Sequence, residues 1–209
     1  MATGYIIDYG AGNLLSLSRA LMQAGFEKVN YVSSPIEIKN AGNLILPGVG
    51  SFYRAMTSME RQDVNGVIAE KARAGAPLLG ICLGMQMLSD QGCENGFKKG
   101  LGLIPGKIES MRDGFKTTKV PVPVIGWMKT RFVNFESMYG DGGWFYYVHS
   151  YEFNVESTDN LSGGYIYHNK MITACVSKEN IVGVQFHPEK SGMDGILFLE
   201  NYRKNMSKD

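Results

Sequence analysis

A chain of 209 residues that is 44% hydrophobic and 20% charged has enough apolar material for one globular domain, expected to span residues 1–209, and too little for two comfortable cores. Its formal net charge of +1, with basic residues clustered only in pairs such as Lys98-Lys99, offers no electrostatic attraction to nucleic acid or an anionic membrane. No apolar run approaches the roughly 18 residues of a membrane span, and the start passes directly into a strand-like segment, so a cytoplasmic protein is expected.

Taken in chain order, residues 5–8 read as a strand, and residues 14–24 carry a helical apolar stripe that Gly25 ends. The loop between them, Tyr9-Gly-Ala-Gly-Asn13, is glycine-rich, but Gly10-x-Gly12 lacks the third glycine and distant acidic residue of a dinucleotide fingerprint. Residues 28–32 predict a second strand, Ser34-Pro35 opens a short helix, and residues 43–46 predict a third strand. That strand runs into Pro47-Gly-Val-Gly50 ahead of a helix over 51–59. Glycines at 48 and 50 allow backbone N–H groups to face an open site, as an oxyanion hole requires, although Pro-Gly is also a common turn. Residues 64–74 predict a helix with Val67, Ile68 and Ala72 inward, followed by a strand over 77–81 and a helix from 83. This alternation predicts a parallel sheet with helices on both faces and a site at the carboxyl ends of its strands.

At the last of these junctions, Gly80-Ile-Cys-Leu-Gly84 sets a thiol where an α/β-hydrolase sets its serine: a tight turn lifts the nucleophile, and the flanking glycines are expected to leave it room. The start of a helix favours thiolate, the reactive form. A cysteine in a buried strand is ordinarily structural, and the two glycines at fixed spacing set Cys82 apart. With Cys93 and Cys175 the cysteines number three, an odd count that argues against a disulfide framework. His149, His168 and His187 show no metal-ligand spacing, so neither a metal nor another cofactor is expected.

Beyond residue 102 the texture changes to short β-like runs at 107–111, 120–127, 144–155, 164–167, 171–176 and 181–186, which suggest antiparallel additions to the same core. Residues 112–143, polar and rich in Gly, Pro and Lys, read as a long excursion that is mobile or covered by a partner. A final helix is expected over 194–203 and a frayed tail over 204–209. A thiolate needs a base, and the base an orienting group. Val182-Gly-Val-Gln-Phe-His187-Pro-Glu189 offers both. Proline biases His187 toward an extended conformation, in which positions i and i+2 point the same way, so Glu189 can lie beside the imidazole. His149, inside Tyr146-Tyr-Val-His-Ser-Tyr151, reads as a packed histidine at a site wall.

Gly80-Ile-Cys-Leu-Gly-Met-Gln86, Pro47-Gly-Val-Gly50 and His187-Pro-Glu-Lys-Ser191 together resemble the class I, triad-type glutamine amidotransferases. Asp8-Tyr-Gly-Ala-Gly-Asn13 and Val148-His-Ser-Tyr151 bring the resemblance nearest to the glutaminase subunits of imidazole glycerol phosphate synthase. The resemblance implies a flavodoxin-like α/β fold and a glutaminase in which Cys82 attacks the side-chain amide of L-glutamine, His187 serves as base then acid, and Glu189 orients it. It further implies an oxyanion hole from Leu83 and the stretch Gly48, Val49 and Gly50, with a peptide flip there as a switch. Gln86, Glu94, Ser150 and Tyr151 match positions that hold the amino and carboxylate ends of the substrate. Ammonia would pass to a (β/α)8-barrel synthase in a heterodimer, across an interface matched by Asn13, Trp127, Tyr146 and Lys190. The chain departs from such subunits at Val122-Pro-Val-Ile-Gly-Trp-Met128, where they usually read Val-Pro-His-x-Gly-Trp-Asn. That departure, placed near the partner face, suggests as an alternative a related pair outside histidine biosynthesis, such as one that amidinates a surface sugar. A non-catalytic regulatory subunit is a further alternative, opposed by the intact Cys82, His187 and Glu189.

Overall fold

The computed structural model describes residues 2–115, 119–133 and 139–206. Side-chain alternation along the first strands decides which helices lie on which face. Strand β1 (Thr3–Ile7) sends Ile6 to one side and Ile7 to the other. Ile45 and Leu44 divide likewise in β3 (Asn43–Leu46), as do Leu79 and Leu78 in β4 (Leu78–Ile81). Helices α1 (Leu14–Gln23) and α6 (Gly192–Met206) close the first face through Leu17, Leu21, Phe198 and Leu199. The second is closed by α2 (Pro35–Asn40), α3 (Phe52–Arg61) and α4 (Asn65–Arg73) through Ile38, Met56, Met59 and Ile68. In α4 the inward residues are Ile68, Ala69 and Ala72, with the expected Val67 only half-buried.

With β2 (Lys28–Val32) and β13 (Ile181–Val184), these strands form the parallel part of a nine-stranded sheet. Its other part is antiparallel: β12 (Lys170–Lys178), β11 (Leu161–Tyr167), β8 (Val124–Phe132) and β9 (Gly142–His149). The strand order is β2-β1-β3-β4-β13-β12-β11-β8-β9. A four-stranded sheet, β10-β7-β5-β6, is built from β5 (Gln91–Gly92), β6 (Lys98–Lys99), β7 (Gly106–Ser110) and β10 (Tyr151–Val155). The expected α/β class, with a parallel core, helices on both faces and antiparallel additions, is the one observed.

Three expectations need correction. The run 144–155 is two strands in two different sheets, parted at Ser150. The excursion over 112–143 contains β8, a nine-residue strand inside the large sheet, whereas residues 116–118 and 134–138 of that stretch lie outside the described residues. The outer face of β8 carries Lys129 and Arg131, which hides the inward series Val124, Thr130 and Phe132 in an averaged reading of polarity. Finally, Lys204 continues α6 rather than fraying, and the rest of the expected tail, 207–209, lies outside the described residues.

Candidate active site

Between β4 and α5 (Leu83–Met87) stands one residue, Cys82, at φ 55° and ψ −109°. A non-glycine residue at positive φ is strained and needs support from its surroundings. Here the Cys82 N–H donates to the Val184 carbonyl at 2.7 Å, and its own carbonyl accepts from the Gln86 N–H at 3.2 Å. The flanking glycines do something other than clear space around the thiol. Gly80 and Gly183 are register partners on adjacent strands, and a Cβ on them would come within 2.7 Å of the Gly84 carbonyl oxygen and 2.8 Å of Met85 Cγ. A side chain on Gly84 would collide with the Leu46 carbonyl. The three glycines therefore seat α5 directly on the sheet, which fixes where the turn can lift its sulfur.

His187 follows β13 at the neighbouring strand end, with Nδ1 2.8 Å from Glu189 Oε1. The pairing arises differently from the extended i, i+2 geometry expected. Pro188 starts a 3-10 turn, Pro188–Lys190, that folds the carboxylate back onto the ring. The His187 N–H donates to the Tyr146 carbonyl at 3.0 Å, and the Ser191 hydroxyl donates to the His187 carbonyl at 2.6 Å, so the residue is clamped from both sides. Burial opposes charge on the imidazole, but the Cys82 sulfur and then the Glu189 carboxylate outweigh it and raise the pKa to about 10. His187 Nε2 and Glu189 Oε2 are buried and make no hydrogen bond among the described residues.

Cys82 and His187 border a pocket of about 310 Å³. Of the residues matched to substrate positions, Val49, Gly50, Leu83, Gln86, Glu94, Ser150 and Tyr151 line it, joined by Pro123, Val148 and His149. Gly48 does not line it. A Cβ there would meet the Tyr9 hydroxyl at 2.7 Å and Leu83 Cβ at 2.8 Å, so this glycine lets the loop approach the elbow. That loop is pinned at its ends, where the Tyr9 hydroxyl donates to the Pro47 carbonyl at 3.0 Å and the Phe52 N–H donates to Glu94 Oε2 at 2.7 Å. Between the pins, Val49 and Gly50 make no backbone hydrogen bond among the described residues, and Gly50 has φ 93°. Burial raises the pKa of Glu94, against the opposing pull of the Phe52 N–H. Glu94 is the carboxylate in the pocket lining, the natural counterpart of an ammonium group.

Trp127, Tyr146 and Lys190 come together outside the pocket: the Trp127 and Tyr146 rings meet edge-on at 6.2 Å, and Lys190 Nζ lies 5.9 Å from the Tyr146 ring centroid. Asn13 caps α1 by accepting from the Ser16 N–H at 3.2 Å. Val124 is buried and Met128 half-buried against the core, on the strand face opposite Ile125, Trp127 and Lys129. The departure at 122–128 thus turns inward, not toward the exposed face where it was expected. Two residues deserve a place in the site beyond those the sequence suggested. Gln185 is fully buried and its Nε2 donates to Cys82 Sγ at 3.7 Å. His149, expected only as a packed wall, has Nδ1 2.8 Å from the Tyr151 carbonyl and Nε2 2.7 Å from the Tyr165 hydroxyl. The polar residue in an otherwise apolar strand end was the available signal for Gln185.

A family model described as glutamine amidotransferase class-I matches residues 5–201. The chain is 41% identical over 203 residues to imidazole glycerol phosphate synthase subunit HisH of Geobacillus sp. (strain WCH70), covering 94% of both proteins. It is 40% identical to the subunit of the same name from Zymomonas mobilis subsp. mobilis (strain ATCC 31821 / ZM4 / CP4), over 96% of this chain and 95% of the relative. Among solved structures it resembles PurLQS from Thermotoga maritima, with a TM-score of 0.72, 18% identity and 99% of both chains covered, a likeness of fold.

Proposed function

The chain belongs to the class I glutamine amidotransferases, and on that premise we propose that it is the glutaminase subunit of an imidazole glycerol phosphate synthase, hydrolysing L-glutamine to glutamate and ammonia for a (β/α)8-barrel partner. The observation that carries the reading is the meeting of Cys82, on its positive-φ elbow, with the His187–Glu189 pair at the edge of one amino-acid-sized pocket.

The Cys82 thiolate attacks the side-chain amide carbon. The oxyanion that develops is received by the N–H of Leu83 and by that of Val49 or Gly50. The His187 imidazolium gives its proton to the departing nitrogen, ammonia leaves, and a γ-glutamyl thioester remains. The now neutral imidazole removes a proton from water, whose oxygen attacks the thioester and releases glutamate and the thiolate. Glu189 holds Nδ1 and supports the imidazolium. Glu94 faces the substrate's ammonium, and neutral donors from Ser150 and Tyr151 face its carboxylate. Ammonia passes toward the face bearing Trp127, Tyr146 and Lys190, with Asn13 as a further contact. Since Val124 and Met128 face the core, the exposed part of that surface keeps the residues the resemblance expects, which favours the histidine-pathway synthase over a sugar-amidinating one.

The test is glutamate release by the subunit alone and with a barrel synthase, with and without its acceptor. Because Val49 and Gly50 are untethered, slow hydrolysis alone and acceleration of about 100- to 1000-fold by the loaded histidine-pathway partner are expected, the worth of one oxyanion donor. Full activity of the lone subunit would refute the switch. Activation only by a sugar-amidinating synthase would refute the pathway.

A further inference from the structure

Gln185 is fully buried on the strand end beside the nucleophile, 103 residues from Cys82 in sequence. A primary amide inside a core is costly unless both of its ends are bonded, and here both ends are. Its Oε1 accepts from Gln86 Nε2 at 2.9 Å, and its Nε2 donates to Cys82 Sγ at 3.7 Å.

The chain of bonds fixes which way the Gln185 amide faces. The Tyr151 carbonyl can only accept, and it lies 3.3 Å from Gln86 Nε2, so Gln86 presents its NH2 there. The same NH2 meets Gln185, which must answer with its oxygen. Gln185 is then left with NH2 toward the sulfur. Turning it over would set two NH2 groups against each other and a carbonyl oxygen against Sγ. The Tyr151 carbonyl also accepts from His149 Nδ1, whose Nε2 accepts from the Tyr165 hydroxyl, so the anchor of the series is itself fixed.

We infer that Gln185 is a positioning residue for the nucleophile: its amide N–H, aimed by Gln86 and the Tyr151 carbonyl, holds the Cys82 sulfur at the attacking position. This rests on the glutaminase reading above and deepens it. A donor to sulfur stabilises thiolate over thiol, because only the anion is a strong acceptor. A series that begins at Tyr151, in the pocket lining, also ties the order of the substrate end of the pocket to that of the thiol.

The experiment uses the full chain with Gln185→Met, which keeps length and removes the donor, and Gln185→Glu, which keeps shape and replaces the donor with an acceptor. Alkylation of Cys82 by iodoacetamide, followed by mass spectrometry, is measured beside glutamine kinetics with the barrel partner and thermal unfolding. Losing a hydrogen bond to a charged group corresponds to about 10- to 100-fold, so Gln185→Met should lower both the alkylation rate and kcat by at least about tenfold, with KM changed by less than about threefold. Gln185→Glu should lose more than Gln185→Met. A purely structural role predicts lower unfolding temperatures with wild-type alkylation rate and kcat in whichever variant folds, and that result overturns the inference. Should the unaltered protein fail to hydrolyse glutamine with any partner while its alkylation still depends on Gln185, the glutaminase reading falls and the positioning role stands.

Discussion

His149 and His187 border the same pocket, and both are almost entirely buried, at 6% and 3% exposure, yet their proton affinities move in opposite directions. His187 has the Cys82 sulfur within electrostatic reach and a carboxylate at Nδ1, and its pKa rises to about 10. His149 has a carbonyl at one nitrogen and a tyrosine hydroxyl at the other, and burial pushes its pKa down to about 4, with the neighbouring His187 adding to the fall. Burial is common to both, so the anionic partners make the difference. Since the Tyr151 carbonyl accepts only, His149 keeps its proton on Nδ1 and takes a hydrogen bond from Tyr165 on Nε2. It is a neutral strut, whereas the raised proton affinity of His187 suits that ring to the acid–base role proposed for it.

The sharpest way to break this contrast is at the sulfur. Cys82→Ala or Cys82→Ser should abolish glutamine hydrolysis with the fold intact, and an electrophilic glutamine analogue should label one residue by mass spectrometry. A label on Cys93 or Cys175 would overturn the assignment. Next, His187→Ala should cost roughly 100- to 10,000-fold in kcat, the span of acid–base catalysis, and Glu189→Gln clearly less, because the carboxylate orients a proton it does not move. Steady-state kinetics in which Glu189→Gln is the worse variant would reverse those roles. The Cys82→Ala protein also sharpens the comparison without turnover: its His187 should titrate at lower pH by NMR, and an unmoved midpoint would mean that Glu189 alone sets the charge.

The smallest effects lie in stability. A histidine whose folded pKa is raised from 6.5 stabilises the protein most below about pH 6.5, and that contribution fades as pH rises toward 10. One whose folded pKa is lowered from 6.5 contributes above about pH 6.5 and loses its contribution as pH falls toward 4. His149→Phe should therefore flatten the acid limb of unfolding free energy, where one proton corresponds to about 1.4 kcal/mol per pH unit. Denaturant unfolding at pH 7 and pH 5 checks it. An unchanged acid slope would mean that His149 is not the group being protonated.

Much of this arrangement was legible where the determinants are local. The strand over 43–46 stands out because a short apolar run is bounded by turn residues, and the elbow because its glycines sit two residues either side of the thiol. The run expected over 120–127 overlaps the start of β8, but the rest of that strand was obscured because Lys129 and Arg131 dilute it, and because a buried inward position is Thr130, whose hydroxyl pairs with that of Tyr147 at 2.5 Å. The Glu189 contact was anticipated, but through the wrong backbone path, since a 3-10 turn and an extended segment can bring the same two side chains together. Gln185 lay in full view beside His187. Its partner on the sulfur side depends on β13 lying next to β4, a pairing no local pattern reports.

That pairing also sets a schedule. Gly183 sits opposite Gly80, and Gln185 reaches Cys82 across 103 residues of chain. At roughly 5–20 residues per second, a ribosome needs on the order of 5 to 20 seconds after Cys82 to add Gln185 and His187. Throughout that interval the nascent chain has its thiol but neither the strand that seats the turn nor the imidazole of His187. An interrupted or truncated product ending before residue 181 carries Cys82 without Gln185 or the His187–Glu189 pair, so under the proposed chemistry ammonia release is confined to chains translated past Glu189.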